Sequence, residues 1–127
     1  MSLCCDILLA SDDAQFGLPE VGLGIIPAAG GSQTLPRTVG ISNAHDLLLT
    51  GSWIGATEAK RIKLINRVLS RNELLSEAQR LADFMKGLNP AALSCAKQAI
   101  TRGLDLNLDG GLQLEKRLAA TLKANPV

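Results

Sequence analysis

The sequence predicts a short β region followed by a mainly α-helical chain, and three observations predict it. Asp6-Ile7-Leu8-Leu9-Ala10 is a compact apolar run with the character of a strand. Beyond Gly31 the apolar residues recur at helical spacing, as Leu74, Ala78, Leu81, Ala82 and Met85 do at i, i+4, i+7, i+8 and i+11. Aromatic residues make up 2% of the chain, with no Tyr, so its core has to be built from Leu, Ile, Val and Ala.

Each element has a local reason. The chain opens with Met1-Ser2-Leu3, which carries no cap or turn chemistry and leaves open whether these residues are a vector-derived addition. A turn over Ser11-Asp12-Asp13 leads from the first strand to a second short extended piece, Gln15-Phe16-Gly17. Gly17 to Gly31 then holds five glycines and two prolines in fifteen residues, too many for a regular element, and reads as an ordered loop able to carry function. Ser32 to Gly40 is expected as a short helical piece interrupted by Pro36. Ser42 is expected to cap the next helix, whose inward face is Ala44, Leu47 and Leu48 and which stops at Gly51.

Gly55 begins a helix with Ala59 and Ile62 on its buried side, and Asn66 to Leu69 reads as a brief strand. Ser70 and Glu73 form an S-x-x-E capping box for a helix over Arg71 to Lys86, ended by Gly87. Asn89 and Pro90 start another helix, with Leu93, Ala96 and Ile100 on one stripe and Gly103 at its end. A last helix over about residues 109–123 presents Leu112, Leu118, Ala119 and Leu122 on one side. The opening strand needs hydrogen-bonding partners that this pattern barely supplies, so the chain reads as the second half of something.

Composition bounds the function. The 127 residues are 46% apolar and 20% charged, enough for one compact domain. A net charge of +1 lacks the basic footprint of a nucleic-acid binder, and the scarcity of aromatics removes base-stacking platforms. Val21 to Ala29, broken by Gly22, Gly24 and Pro27, is far short of the roughly 20 residues of a membrane helix. No basic stretch leads into an apolar run with a cleavage site, so the expected location is cytoplasmic. Cys4, Cys5 and Cys95 form no C-x-x-C spacing, so neither a disulfide framework nor a zinc site is indicated, no metal is expected, and all three are expected reduced and buried.

Within the loop, Gly22-x-Gly24 fails as a dinucleotide fingerprint because Pro27 stands where the third glycine belongs, and no Lys precedes Ser32 as a phosphate loop requires. Gly30-Gly31-Ser32 starts a helix whose backbone N–H groups face either a ligand or nothing more than the packed core. Glu20 stands out, following Pro19 among Val21, Leu23, Ile25 and Ile26. A carboxyl among apolar neighbours has its charged form disfavoured and suits acid and base work, although a loop Glu taken alone is more often simply solvated. His45 has no Ser or Cys partner in the spacing and reads as a surface or interface residue.

Cys5-Asp6-Ile7-Leu8-Leu9-Ala10-Ser11, Ala14 through Glu20, and Gly22-Leu23-Gly24-Ile25-Ile26-Pro27-Ala28-Ala29-Gly30-Gly31-Ser32-Gln33 together resemble the enoyl-CoA hydratase/isomerase (crotonase) family. The likeness continues through Leu35-Pro36-Arg37, Leu48-Leu49-Thr50-Gly51, Ala56-x-Glu58-Ala59 and Leu64-x-Asn66-Arg67-Val68, and it corresponds to the carboxy-terminal half of a member. The resemblance implies an α/β crotonase-like spiral, with residues 1–69 the end of the core and 70–127 a helical oligomerisation region. It implies an acyl-CoA thioester as substrate with no other cofactor, an enolate intermediate held by two backbone N–H groups, and a trimer or hexamer.

By the same resemblance Glu20 matches the family's second catalytic glutamate, and Pro19, Val21, Pro27, Gly30 and Gly31 match substrate-side positions, the two glycines chiefly as packing and backbone-shaping residues. Both oxyanion donors and the first catalytic glutamate would fall before Met1, so hydratase and isomerase chemistry stay undivided. A catalytically inactive helical oligomerising fragment is the competing reading. Three departures stand out: Thr34 for a common Arg, Gly55 for a common Ser cap, and Lys63 for a common Gly, at a cost if that backbone position is left-handed.

Overall fold

The computed structural model describes residues 2–124. A 3-10 turn, Ser2–Cys4, precedes strand β1, Leu9–Ser11, and strand β2, Gln15–Gly17. A second 3-10 turn covers Pro19–Leu23, and helices α1, Gly31–Val39, and α2, Ile41–Thr50, follow it. Strand β3, Trp53–Gly55, helix α3, Ala56–Arg61, and strand β4, Arg67–Leu69, lead to the long helices α4, Arg71–Lys86, α5, Pro90–Gly103, and α6, Leu108–Ala124.

The early strands find partners inside the chain, contrary to the expectation that these were barely supplied. β1 pairs in parallel with β4, Ala10 opposite Val68, and β2 pairs antiparallel with β3, Phe16 opposite Ile54. β1 is shorter than the apolar run and shifted forward. Asp6 and Ile7 lie in a bend, and Leu8 bonds instead to Asn66. β3 went unread because three residues between two helices carry no period to detect.

Helices α1 and α2 differ from expectation. α1 runs through Pro36 without a break. The missing N–H forfeits one bond to the Ser32 carbonyl, but Leu35 and Val39 on either side are buried, at 2% and 6% exposure, and their packing holds the turn. α2 begins at Ile41, not behind a Ser42 cap, because Gly40 alone separates it from α1: Gly40 N donates to Pro36 O, and Ala44 N to Gly40 O. At α4 the capping residues meet differently from the reciprocal box, with Ser70 Oγ donating to Glu73 Oε2 at 2.5 Å while Glu73 N bonds Ser70 O. Asn89 caps α5 as its position suggests, its Oδ1 accepting from Ala91 N at 2.8 Å and Ala92 N at 3.1 Å.

The chain divides into two compact units between Ala78 and Gln79. In the first, an aliphatic core is formed by residues such as Leu35, Leu47, Ala56, Ala59 and Ile65, with Leu3, Phe16 and Leu18 packed against it. Leu3 is thus part of the folded unit, whatever its origin. Arg67 pairs with Glu77 and ties β4 to α4, and Arg71 approaches Asp13 at 3.6 Å. In the second unit α5 packs on α6, with Gly111 Cα close to Gly103, and no described residue is buried. There the expected stripes are displaced. Leu93, Ala96 and Ile100 are exposed and Cys95 and Ala99 half-buried, while on α6 Leu114, Leu118 and Leu122 share the half-buried side in place of Leu112 and Ala119.

The cysteines also depart from expectation. Cys4 and Cys5 are exposed and Cys95 is half-buried. The first two precede β1 and lie outside a core that begins at Ala10, so the general tendency of cysteine to bury is not met there.

Candidate functional site

Glu20 sits in the second position of the Pro19–Leu23 turn. Pro19 fixes the entry of the turn. The turn closes on Gly24, whose N–H donates to Val21 O, while Ile25 N donates to Glu20 O at 3.2 Å. The carbonyl end of Glu20 is therefore held by the turn. Its side chain is not: Oε2 is buried and has no hydrogen-bond partner. A carboxylate oxygen out of contact with water and without a donor is an uncommon arrangement that calls for a reason, and a proton to be exchanged with a bound molecule is one such reason.

Two glycines support this turn. Gly51 ends α2 at φ 64°, a left-handed conformation suited to glycine, and its α-carbon face lies against the turn: a Cβ there would stand 3.4 Å from Pro19 Cα and 3.5 Å from Val21 Cγ2. Gly31 is buried at the start of α1, where a Cβ would come within 3.0 Å of Pro27 Cβ and 3.3 Å of Leu18 Cδ1. Leu18 is in turn the residue that enters the Glu20 turn. Of the two readings of the Gly30-Gly31 start, close packing is the one these distances support. Gly30 flanks α1, its carbonyl accepting from Gln33 N, Thr34 N and Thr34 Oγ1.

The structure thus brings Pro19 and Val21 together on Gly51, and Pro27 and Gly31 together beside Leu18. Pro19 is exposed, Val21 and Gly30 are half-buried, and Pro27 is buried. Gly51 and Leu18 are supports that the sequence reading did not assign to the site. Gly51 was legible as a helix stop, but its contact across 30 residues of chain left no local signal. His45 is exposed, in keeping with a surface role.

Beneath the turn, Leu3, Phe16, Gly17, Leu18, Leu35, Leu47 and Leu64 line an apolar cavity of about 200 Å³. Glu20 does not line it. Among the described residues no group of three or more His, Cys, Asp or Glu is placed to hold a metal ion, and no helix is long and apolar enough to cross a membrane.

Residues 1–125 match the family model described as enoyl-CoA hydratase/isomerase. A probable enoyl-CoA hydratase of Rhizobium meliloti is 44% identical over 124 residues, covering 98% of this chain and 48% of that protein. A short-chain-enoyl-CoA hydratase of Clostridium acetobutylicum is 44% identical over 115 residues, covering 91% of this chain and 44% of that protein. A crystal structure of enoyl-CoA hydratase from Bacillus anthracis superposes with a TM-score of 0.96 at 38% identity, over 98% of this chain and 48% of its own. The fold is therefore crotonase-like. The chain spans about half the length of the curated relatives it matches.

Proposed function

Because the chain belongs to the enoyl-CoA hydratase/isomerase family, we propose that it forms about half of an enzyme that hydrates a 2-enoyl-CoA, with Glu20 as the acid and base. The observation that carries this reading is the buried, unpartnered Oε2 of Glu20 on a turn whose backbone is fixed. In the reaction the oxygen of water bonds to carbon three of the enoyl group as one of its O–H bonds breaks, the released proton passing to a carboxylate base. Negative charge moves onto the thioester oxygen and returns as Glu20 delivers its own proton to carbon two, and the proton taken from water then restores Glu20 to its acid form. Pro19, Val21, Pro27, Gly30 and Gly31 shape the wall beside it. Backbone donors for the thioester oxygen belong, in this reading, to the half of the relatives that the match does not cover. Double-bond isomerisation is the alternative outcome of the same enolate, with Glu20 carrying the proton between two carbons.

Losing one oxyanion donor costs on the order of 10² to 10³ in rate, so residues 1–127 alone are expected to be inactive. The substrate is the thioester itself, with no further cofactor or metal. The exposed apolar residues of the second unit, Leu104 at 84% and Leu108 at 78%, support self-association of the whole protein as a trimer or hexamer. The expected location is the cytoplasm.

The test follows loss of the conjugated thioester absorbance of crotonyl-CoA. The purified chain is measured alone, then extended by the half that its relatives carry beyond the match. Inactivity alone with activity on extension is the expected pattern. Turnover by the chain alone would contradict the placement of the oxyanion donors, and an inactive extended protein that folds would contradict the hydratase reading.

A further inference from the structure

Cys4 and Cys5 are adjacent, free and exposed, and neither takes part in the chemistry proposed for Glu20. Cys4 ends the 3-10 turn Ser2–Cys4, and Cys5 lies on the wall of a small polar cleft of about 120 Å³ shared with Asp6, Thr38, Lys63 and Asn66. No cis peptide bond occurs among the described residues, so the two α-carbons are separated by a trans peptide, about 3.8 Å. That is below the roughly 4.4 Å at which disulfides ordinarily begin. Direct S–S closure of this pair is therefore strained. A bridge through one interposed atom relaxes that limit, because it lengthens the link between the two sulfurs while leaving the backbone as it is.

From this geometry we propose that Cys4 and Cys5 form a dithiol site for monosubstituted trivalent arsenicals. With phenylarsine oxide the step balances without an oxidant or reductant. Two arsenic–sulfur bonds form, the arsenic–oxygen double bond breaks, and the two thiol protons leave with that oxygen as one molecule of water, arsenic remaining trivalent. The second thiol binds intramolecularly, and such linkage raises overall affinity by about 10² to 10⁴ over a single contact. Cys95 is the single cysteine of α5, half-buried and without an adjacent cysteine in the sequence, and serves as the internal control. The cleft beside Cys5 gives the substituent on arsenic a place to lie. Asp6 and Lys63 lend that cleft polar character but take no part in the bonds to arsenic.

The experiment treats the purified, reduced chain with one equivalent of phenylarsine oxide in excess glutathione, a monothiol competitor, and reads the adduct by intact-protein mass spectrometry. Cys4→Ser, Cys5→Ser and Cys95→Ser are run in parallel, with far-ultraviolet circular dichroism to confirm that each retains the fold. The wild type and Cys95→Ser are expected to keep one adduct until a small dithiol is added, and each of the other two is expected to bind about 10² or more times more weakly. Retention of the adduct by folded Cys4→Ser or Cys5→Ser would overturn the proposal. So would its loss in folded Cys95→Ser, or the absence of any stable adduct on the wild type.

Discussion

Leu8 and Asn66 hold each other in both directions: Leu8 N donates to Asn66 Oδ1 at 2.7 Å, and Asn66 N donates to Leu8 O at 2.8 Å. The pair sits one step before the parallel ladder of β1 and β4 and sets its register, Leu9 opposite Arg67. A single side-chain oxygen thus completes the pairing of a strand that would otherwise leave an N–H unsatisfied. Asn66→Ala is expected to destabilise the chain by about 1–2 kcal/mol. Asn66→Asp, which keeps an acceptor in place, is expected to lose less. Urea unfolding of both variants checks the order, and equal losses would show that the Oδ1 contact does not matter.

Lys63 is the one non-glycine residue with positive φ among the described residues, at 66°. Lys63 N still donates to Lys60 O, so the turn after α3 is well made despite the strain. Lys63→Gly is expected to raise stability by about 1 kcal/mol, and Lys63→Ala to bring no comparable gain. A thermal melt of the two variants distinguishes relief of the left-handed conformation from loss of the lysine itself.

Gly31 meets Pro27 and Leu18 closely enough that an added methyl has to displace one of them. Gly31→Ala is expected to cost about 1–3 kcal/mol. Because Leu18 leads into the Glu20 turn, the same variant is expected to shift the Glu20 side-chain resonance in a carboxyl-labelled sample. A normal denaturation midpoint in this variant would contradict the packing described for Gly31.

Glu58 accepts from Arg61 Nε at 2.7 Å and Arg61 Nη2 at 2.6 Å on the surface of α3. Those bonds, with the guanidinium charge beside them, hold the Glu58 carboxyl below its ordinary range. A depressed carboxyl contributes stability above the unfolded value and loses it as pH falls through the folded one. The pair's contribution is therefore expected to be present at neutral pH and to disappear in acid. Carboxyl NMR titration is expected to show the Glu58 midpoint rising toward the ordinary value in Arg61→Ala, and an unchanged midpoint would contradict the assignment of cause.

Much of the fold was legible because its signals are local. Ser70 with Glu73 marked α4, whose observed bounds match the expected ones, and Asn89-Pro90 marked the start of α5. The aliphatic composition anticipated a core in which Ala59, at 0% exposure, and Ala56 are among the tightest positions. What stayed hidden depends on distant contacts. β3 is only three residues long and exists because β2 lies beside it, and α1 passes through Pro36 because Leu35 and Val39 are buried by other parts of the chain. The stripes on α5 and α6 were misplaced because several apolar positions compete on each helix, and only the packing partner chooses among them. At the candidate site, Glu20 was singled out by its apolar neighbours and by the family resemblance. Its supports, Gly51 and Leu18, were not, since each acts through a residue far along the chain or through a side-chain contact with no periodic signature.

Proton transfer by Glu20 is tested by comparing the rates of two proteins. In the protein extended by the half that its relatives carry beyond the match, kcat for hydration of crotonyl-CoA is measured for the wild type and for Glu20→Gln, which keeps the shape of the side chain and removes its acidity. Positioned acid–base groups contribute about 10² to 10⁴ in rate, so a fall of at least about 100-fold in kcat with KM little changed is the predicted result. A Glu20→Gln protein that hydrates within a few-fold of the wild type would contradict it.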